Sequence, residues 1–419
     1  MNAMKEIVLS QKIERDELLG GRYVPREGLK NARKSLQSNL IKVIIGPRRA
    51  GKSVFSIQML EGVNFAYLNF DDERLASASD YDEILKAIRQ VYGESKVILF
   101  DEIQNLPNWE LFVNRLHRRG FNIIITGSNA YLLSRELSTH LTGRYVQFRI
   151  FPFSFLEFLR AKEFAIDEAL ELKERQGLLL GHLDDYLDKG GYPEIVVKGL
   201  DAKNYLATLF ESILFKDIVK RYSLRYTKLL SDLAHYLITN HSNEFSYTKL
   251  KNILEFKSVH TVENYTKYLT EAFLTFSVDR FSFKLKEQMR SPKKAYGYDT
   301  GMIHAIKFKT GRDIGRLMEN LVAVELMRRG SEFYYYRSVN GKEVDFVIKR
   351  GSKVDKLIQV CYDINQHATR KRELAALAKA GKDFGCSQLT VLTWDDEAEE
   401  KYSGERVNLL PLWKWLIGM

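Results

Sequence analysis

The segment "GPRRAGKS", residues 46–53, restricts the fold more than any other part of the chain, because it fits the pattern G-x-x-x-x-G-K-[ST]. The mostly apolar residues Lys42 to Ile45 precede it and predict a buried parallel strand, whereas Val54 to Leu60 predict a helix. In a strand–loop–helix unit of this kind, backbone N–H groups and the helix N-terminus surround phosphate groups. The sequence therefore predicts an α/β nucleotide-binding domain built on a parallel sheet.

Two side chains of this loop have distinct chemical roles. Lys52 is expected to reach the β- and γ-phosphates of the nucleotide, and Ser53 is expected to bind Mg²⁺. The predicted nucleotide contacts are the loop residues and the first residue of the helix: Gly46, Pro47, Arg48, Arg49, Ala50, Gly51, Lys52, Ser53 and Val54.

A second apolar segment supplies acidic residues. Val97 to Phe100 in "SKVILFDEIQNL" predict a short buried strand, and Asp101 and Glu102 follow at its carboxyl end, where open α/β sheets bind ligands. We expect Asp101 to hold Mg²⁺ through water and Glu102 to orient and deprotonate the attacking water. The alternative is that the pair occupies an ordinary solvated turn.

A third strand is predicted at Ile123 to Ile125, in "FNIIITGSNAYLLSREL". Asn129 follows it, and its amide can bind the γ-phosphate or the lytic water, or it can cap the next helix. Arg144 is predicted to lie at the end of that helix, just before a strand from Tyr145 to Ile150. Its guanidinium can stabilise transition-state charge at a neighbouring subunit's nucleotide, or it can be a surface arginine that the helix dipole favours.

Composition narrows the class of protein. The 419 residues are enough for two or three domains, and no apolar run approaches the 18 or so residues of a transmembrane helix. The N-terminus has no signal-peptide core, so we expect a cytoplasmic protein without a membrane association. Two cysteines, Cys361 and Cys386, argue against a disulfide scaffold or a structural zinc site. A net charge of +10 suits an anionic partner.

The middle of the chain predicts helices followed by strands. Asn204 to Tyr226 reads as one amphipathic helix, and Lys228 to Asn240, Ser246 to Leu254 and Ser258 to Glu271 read as three more. Two strands follow, which is the element order of a winged helix with a basic wing. We expect the third helix and the wing to contact DNA, although winged helices often pack only against protein. The candidate contacts are Lys257, His260, Asn264, Lys267, Lys293 and Lys294.

The motifs taken together resemble the AAA+ ATPases, and more closely the archaeal and bacterial ATPases that carry a DUF4143 C-terminal region. The resemblance implies ATP rather than GTP, an AAA+ core, a winged helix, a restriction-endonuclease-like C-terminal domain, and Arg144 as an arginine finger. The motifs that carry it are "GPRRAGKS", "YLNFDDERL", "LFDEIQNLPNWE", "TGSNAYLL", "LTGRYVQFRIFPFSFLEFL" and "YLDKGGYPEIV".

The resemblance also implies a division into four parts: a core at 1–160, a helical lid at 161–226, the winged helix at 227–300 and the nuclease-like domain at 301–419. Glu319 and Asp345 match two acidic positions of restriction-like nucleases, but Gln359 and Cys361 stand where Glu and Lys are expected. Glutamine is a weak ligand for a hard cation and cysteine carries no positive charge. We therefore predict that this domain keeps the fold and has lost the chemistry.

The predicted function is ATP hydrolysis coupled to DNA binding, remodelling or translocation. A finger that acts on a neighbour's nucleotide implies a homo-oligomer and favours a hexameric ring, since a ring gives every subunit such a neighbour. Two alternatives stay open. One is a nucleotide-dependent signalling switch that acts on a protein partner, and the other is an ATP-dependent metal nuclease.

Overall fold

The computed structural model describes residues 3–76, 80–129, 141, 143–307 and 313–419. Its contacts divide the chain into two compact units. The first comprises residues 1–153 with 271–273, and the second comprises 154–270 with 274–419. The boundaries of the four predicted domains remain predictions.

The first unit is built on a five-stranded parallel sheet with the order β2-β3-β4-β1-β5. The strands are β1 (Ile41–Ile45), β2 (Ala66–Asn69), β3 (Val97–Asp101), β4 (Asn122–Gly127) and β5 (Tyr145–Arg149). The helices are α1 (Ala3–Gly20), α2 (Leu29–Ser35), α3 (Lys52–Met59), α4 (Glu73–Ala76), α5 (Tyr81–Tyr92) and α6 (Trp109–Arg118), with a 3₁₀ turn at Ile103–Asn105.

This sheet forms because its central strands carry side chains suited to burial on both faces. Every residue of β1 is buried, as parallel strands covered by helices require. Ile44 and Leu99 join Phe55 of α3 and Tyr67 of β2 in one hydrophobic core. Because the strands run in parallel, the residues that follow β1, β3 and β4 gather at one carboxyl edge of the sheet. The predicted α/β class and parallel sheet are confirmed, and each of the four predicted strands lies within about two residues of its predicted bounds.

The second unit begins with helices. They are α7 (Phe155–Ala161), α8 (Lys173–Lys189), α9 (Pro193–Lys198), α10 (Ala202–Ser212), α11 (Thr227–Thr239), α12 (Tyr247–Ile253), α13 (Val259–Glu271), α14 (Leu285–Arg290), α15 (Thr300–Ile306), α16 (Ile314–Arg328), α17 (His367–Phe384) and α18 (Leu412–Ile417). A 3₁₀ turn lies at Glu168–Glu171 and a π-helix at Ile213–Val219.

Two sheets complete this unit. A small antiparallel sheet has the order β6-β8-β7, from β6 (Glu244–Phe245), β7 (Thr275–Asp279) and β8 (Lys293–Gly297). A mixed sheet has the order β13-β14-β12-β11-β10-β9. Its strands are β9 (Glu332–Arg337), β10 (Glu343–Arg350), β11 (Lys353–Val360), β12 (Leu389–Thr393), β13 (Ala398–Tyr402) and β14 (Glu405–Pro411). Helix α17 covers the mixed sheet through Leu374 and Leu377.

The prediction of one regular helix from Asn204 to Tyr226 is wrong. The helix begins at Ala202, where the side chain of Asp201 accepts a hydrogen bond from the N–H of Lys203, and its α-helical part ends at Ser212. The π-helix that follows places Ile213 and Ile218 in the interior, since i and i+5 positions align in a π-turn. In the described part of the chain, no helix combines the length and apolar character needed to cross a membrane.

Candidate functional site

The phosphate-binding loop connects β1 to α3 at the carboxyl edge of the parallel sheet. A Cβ atom on Gly46 would lie 1.9 Å from the carbonyl oxygen of Ile150, so only glycine fits where the loop passes this backbone. Gly51 has a φ of 91°, in the left-handed region that glycine adopts without strain, and α3 begins directly after it. The loop is therefore shaped by the two glycines that the sequence pattern requires.

A buried arginine fixes the loop from behind. The guanidinium of Arg26 donates hydrogen bonds to the carbonyl oxygens of Ala50, at 2.9 Å, and Phe151, at 2.6 Å. It also stacks over Phe153, with 5.0 Å from the guanidinium carbon to the ring centre. The sequence analysis missed Arg26 because it lies 24 residues before the loop, in a segment without a motif.

Lys52 points into the site and contacts the predicted base. Its Nζ lies 3.1 Å from Oε1 of Glu102, and the two side chains are only 4% and 14% exposed. The same ammonium donates to the carbonyl oxygen of Pro47 at 3.2 Å. The structure thus brings together the two residues that the sequence placed on separate motifs, and it shows them as an ion pair.

Asp101 is held at the end of β3 by three hydroxyl groups. Thr126 at the end of β4 donates to its Oδ1, and the phenol of Tyr67 lies 3.3 Å from its Oδ2. Ser53, the predicted magnesium ligand, also hydrogen-bonds to this carboxylate. Ser53 and Asp101 are therefore neighbours, as two ligands of one ion must be.

Glu102 adopts a left-handed conformation with a φ of 49°, which costs a residue with a side chain of order 1 kcal/mol or more. Its backbone N–H donates to the Thr126 hydroxyl at 3.0 Å. Its Oε2 accepts from Nε2 of Gln104 at 2.5 Å and from the N–H of Ser128 at 3.2 Å. This network turns the carboxylate toward Lys52 and away from the strand. Thr126 and Gln104 were missed by the sequence analysis, although both lie inside quoted motifs.

The two neighbouring carboxyl groups titrate in opposite directions. Burial and the charge of Glu102 raise the pKa of Asp101 to about 6. Burial alone would raise the pKa of Glu102 as well, but Lys52, Gln104 and Arg48 outweigh it and lower that pKa to about 2. At neutral pH the glutamate is fully ionised, and its negative charge is matched by Lys52.

Asn129 and Arg144 lie at opposite edges of the sheet. Asn129 is buried just beyond the carboxyl end of β4. Arg144 is exposed just before the start of β5, where its carbonyl accepts from the N–H of Ile41 at 2.8 Å and its guanidinium donates to Asn114 at 3.0 Å. Since β1 starts at Ile41 and ends before the loop, Arg144 is one strand length, about 16 Å, from its own loop. The helix predicted between these two residues falls outside the described residues.

The predicted DNA contacts divide into two groups. Lys257, His260, Asn264 and Lys267 are exposed along one side of α13, and Val262, Tyr265 and Leu269 are buried, as predicted. The prediction for Lys294 is wrong, because its side chain is buried and its ammonium pairs with Glu319 and Asp345. Lys293 is half-buried and pairs with Asp279.

The C-terminal acidic residues also differ from the prediction. Glu319 and Asp345 do approach each other, but the site does not lack an ammonium, because Lys294 of β8 supplies one. Gln359 accepts a hydrogen bond from the N–H of Asp345 at 3.2 Å. Cys361 packs in the hydrophobic core, where burial raises its pKa to about 12. The local sequence around residue 361 gives no sign of a lysine that arrives from another sheet.

Comparison with known proteins agrees with the nucleotide site. A family model described as an AAA domain matches residues 38–159, and two domains of unknown function, DUF8612 and DUF4143, match residues 180–313 and 314–415. An uncharacterized protein of Methanocaldococcus jannaschii is 37% identical over 90% of this chain and 88% of its own length. Another uncharacterized protein, of Haemophilus influenzae, is 32% identical over 79% of this chain and 85% of its own.

Among solved structures, a Walker-type ATPase of Pyrococcus abyssi matches 69% of this chain and 99% of its own, with a TM-score of 0.43 and 16% identity. The match of the AAA and DUF4143 models to consecutive parts of the chain agrees with the resemblance seen in the motifs. The full-length similarity to the Methanocaldococcus protein shows that both parts belong to one architecture. The chain is a member of the P-loop ATPase family in which an AAA domain is joined to a DUF4143 domain.

Proposed function

We propose that this chain hydrolyses ATP at the loop between β1 and α3. The observation that carries the proposal is the 3.1 Å contact between Lys52 and Glu102, because it places the phosphate-binding ammonium and the acidic base in one site. In the structure each neutralises the other. When triphosphate enters, Lys52 turns from Glu102 to the β- and γ-phosphates, and Glu102 is freed to accept a proton from water.

This exchange also makes Glu102 a stronger base. A carboxylate whose pKa is about 2 accepts protons poorly, and Lys52 is the largest favourable charge that holds it there. Once Lys52 binds phosphate, that stabilisation is lost and the pKa of Glu102 rises. Asn129, buried beside the end of β4, is placed to hydrogen-bond the γ-phosphate or the lytic water.

The residues also fit a bound Mg²⁺. The Ser53 hydroxyl and the Asp101 carboxylate are oxygen donors in mutual contact, which suits a hard cation. Burial raises the pKa of Asp101, so a nearby cation relieves the cost of its charge. Mg²⁺ would be held by these two residues and by the nucleotide, where it neutralises charge on the phosphates.

Arg144 supports an oligomer. It is exposed and lies at the edge of the sheet opposite to its own loop, so it can reach a nucleotide only on another subunit. A guanidinium supplied in this way stabilises transition-state charge. A closed ring, with a hexamer favoured, gives every nucleotide such a partner.

DNA is the partner that we propose for the second unit. Helices α11 to α13 followed by a three-stranded antiparallel sheet have the order of a winged helix. Helix α13 presents Lys257, His260, Asn264 and Lys267 to solvent, and a net charge of +10 favours a polyanion.

The test is ATP hydrolysis with and without duplex, single-stranded and four-way-junction DNA, with the Glu102→Gln variant as the inactive control. Stimulation by one form of DNA, lost when Lys257 and Lys267 are replaced by Ala, supports coupling to DNA. Tight nucleotide binding with slow turnover that ignores every DNA would instead identify a switch that acts on a protein.

A further inference from the structure

Lys294 is the most enclosed charged group of the second unit that the proposed function does not use. It lies on β8 of the small sheet, and its side chain is 2% exposed. Its Nζ is 2.9 Å from Oε1 of Glu319 on α16 and 3.3 Å from Oδ1 of Asp345 on β10, and it also pairs with Glu343. Three carboxylates from two elements therefore surround one ammonium from a third.

The carboxylates are fixed by further hydrogen bonds. The phenol of Tyr296, two residues along β8, donates to the same Oε1 of Glu319 at 2.7 Å. Oδ2 of Asp345 accepts from the N–H of Val360 at 3.0 Å. Each partner thus has a second contact that holds its oxygen toward Lys294, and the cluster is an ordered network rather than a chance approach of charged groups.

The ammonium lies where a metal-dependent nuclease would hold its ion. Glu319 and Asp345 are the two positions that match the acidic ligands of restriction-like nucleases, and a magnesium ion needs their oxygens at about 2.1 Å. Here the oxygens of both lie around Lys294, at hydrogen-bond distances. Within the described residues, no group of three or more His, Cys, Asp or Glu has the arrangement of a metal site. The residues therefore do not fit the ion that this fold class implies.

We infer that the ammonium of Lys294 is the resident cation of this centre and stands in place of a divalent metal ion. It neutralises the acidic cluster permanently and ties β8 of the small sheet to α16 and to the mixed sheet. The centre is then a structural joint between the two sheets, without metal and without phosphodiester hydrolysis. This inference does not depend on ATP hydrolysis at the other site.

The electrostatics agree with a permanently charged lysine. Burial alone would lower the pKa of Lys294, but Glu319, Tyr296, Asp345 and Glu343 outweigh it and raise that pKa well above its usual value. Burial raises the pKa of Glu319 and of Asp345, so both carboxyl groups depend on a nearby positive charge to stay ionised. Removal of the ammonium would leave a strong demand for another cation.

The cluster can be reached from solvent. A polar cavity of about 430 Å³ is lined by Lys294 and Glu343, together with Arg316 and Arg337. A metal ion could therefore enter, and it is the occupancy of the centre by Lys294 that keeps it out. This distinction leads to a gain-of-function test: a neutral side chain at position 294 should create a metal site.

The experiment measures Mn²⁺ binding by calorimetry and thermal stability with Mn²⁺ or EDTA, without nucleotide. All variants carry Asp101→Asn, which removes the metal ligand of the ATP site. We expect the parent chain to show no Mn²⁺ site in the C-terminal domain. Lys294→Met should gain about one Mn²⁺ per chain and a melting temperature that rises by about 3 °C or more when Mn²⁺ is added.

Controls separate a metal site from a general effect. Lys293→Met removes the adjacent lysine, which pairs with Asp279 outside the cluster, and should leave Mn²⁺ binding unchanged. Asp345→Asn added to Lys294→Met should abolish the new site. A folded Lys294→Met chain that gains no Mn²⁺ would overturn the inference.

A second comparison decides the matter if Lys294→Met does not fold. The parent chain and its Asp345→Asn variant are titrated with Mn²⁺ and incubated with supercoiled plasmid. Equal Mn²⁺ binding and no difference in nicking support the inference. Mn²⁺ binding or plasmid nicking by the parent that disappears in Asp345→Asn would show that a metal displaces Lys294, and the inference would be wrong.

Discussion

The substitution Glu102→Gln should change nucleotide binding and hydrolysis in opposite directions. In the structure, Lys52 must leave Glu102 before it can bind phosphate, so the ion pair competes with the nucleotide. Glutamine keeps the size of the side chain and can still accept from Ser128, but it offers no charge to Lys52. We therefore expect tighter binding of ATP together with loss of the base that activates water.

The size of the binding effect follows from the pKa of Glu102. Its fall from 4.5 to about 2 corresponds to a free energy of about 3 kcal/mol, since one pKa unit is worth about 1.4 kcal/mol. Gln104 and Arg48 contribute to the same shift, so Lys52 accounts for only part of it. About half of that free energy corresponds to roughly tenfold tighter binding, and about a hundredfold is the upper limit.

Binding is measured by titration with a fluorescent ATP analogue, and hydrolysis by release of phosphate. We expect a dissociation constant about tenfold lower than that of the unmodified chain, and a turnover rate reduced by about a hundredfold or more. Gln104→Ala is the matched control, because it removes a neutral partner of the same carboxylate and leaves the ion pair intact. Weaker binding by Glu102→Gln would refute the competition between carboxylate and phosphate.

Three further predictions use other parts of the chain. Arg144→Ala should bind ATP but lose hydrolysis by about a thousandfold, and a mixture of Arg144→Ala with Glu102→Gln chains should regain activity if the arginine acts between subunits; a mixture as inactive as its components would contradict this. Gly301→Ala should lower the melting temperature by several degrees, because its Cβ would lie 2.3 Å from the carbonyl oxygen of Lys189, whereas Gly181→Ala in the open part of α8 should raise it slightly; equal effects would exclude the clash as the cause. Burial lowers the pKa of His241 from 6.5 to about 4, so the folded state prefers the neutral imidazole. Its contribution to stability is complete above about pH 6.5 and falls by up to about 3 kcal/mol as the pH drops to 4; unfolding of the unmodified chain and of His241→Asn measured across this range should converge at low pH, and parallel curves would contradict it.

The sequence predicted the nucleotide site well because its determinants are local. The glycines of the loop, the apolar strands and the polar residues at their ends are each specified within about ten residues, and the parallel sheet then brings the strand ends together. Arg26 shows where this reasoning stops. It supports the loop from a segment with no periodic pattern, and only the tertiary fold reveals that its guanidinium reaches Ala50.

Lys294 was misassigned for the same reason. A lysine in the basic segment "SPKKAYGY" looks solvent-exposed, and its partners Glu319 and Asp345 are 25 and 51 residues further along the chain. Alternation along β8 turns Lys293 to one face and Lys294 to the other, so adjacent lysines have opposite fates. Which face is buried depends on the packing of the small sheet, and the local sequence does not specify that packing.

The two lysines of the two sites differ in how easily their partners can be exchanged. Lys52 has one carboxylate partner, Glu102, and a nucleotide that brings several phosphate oxygens offers it more charge than it loses. Lys294 has three carboxylate partners and is almost fully enclosed, so no single ligand can match what it would give up. A lysine with one anionic partner at the mouth of a site can act as a ligand-operated contact. A lysine with three buried partners is a fixed counter-ion, and this difference in number explains why nearly the same pairing serves chemistry in one unit and architecture in the other.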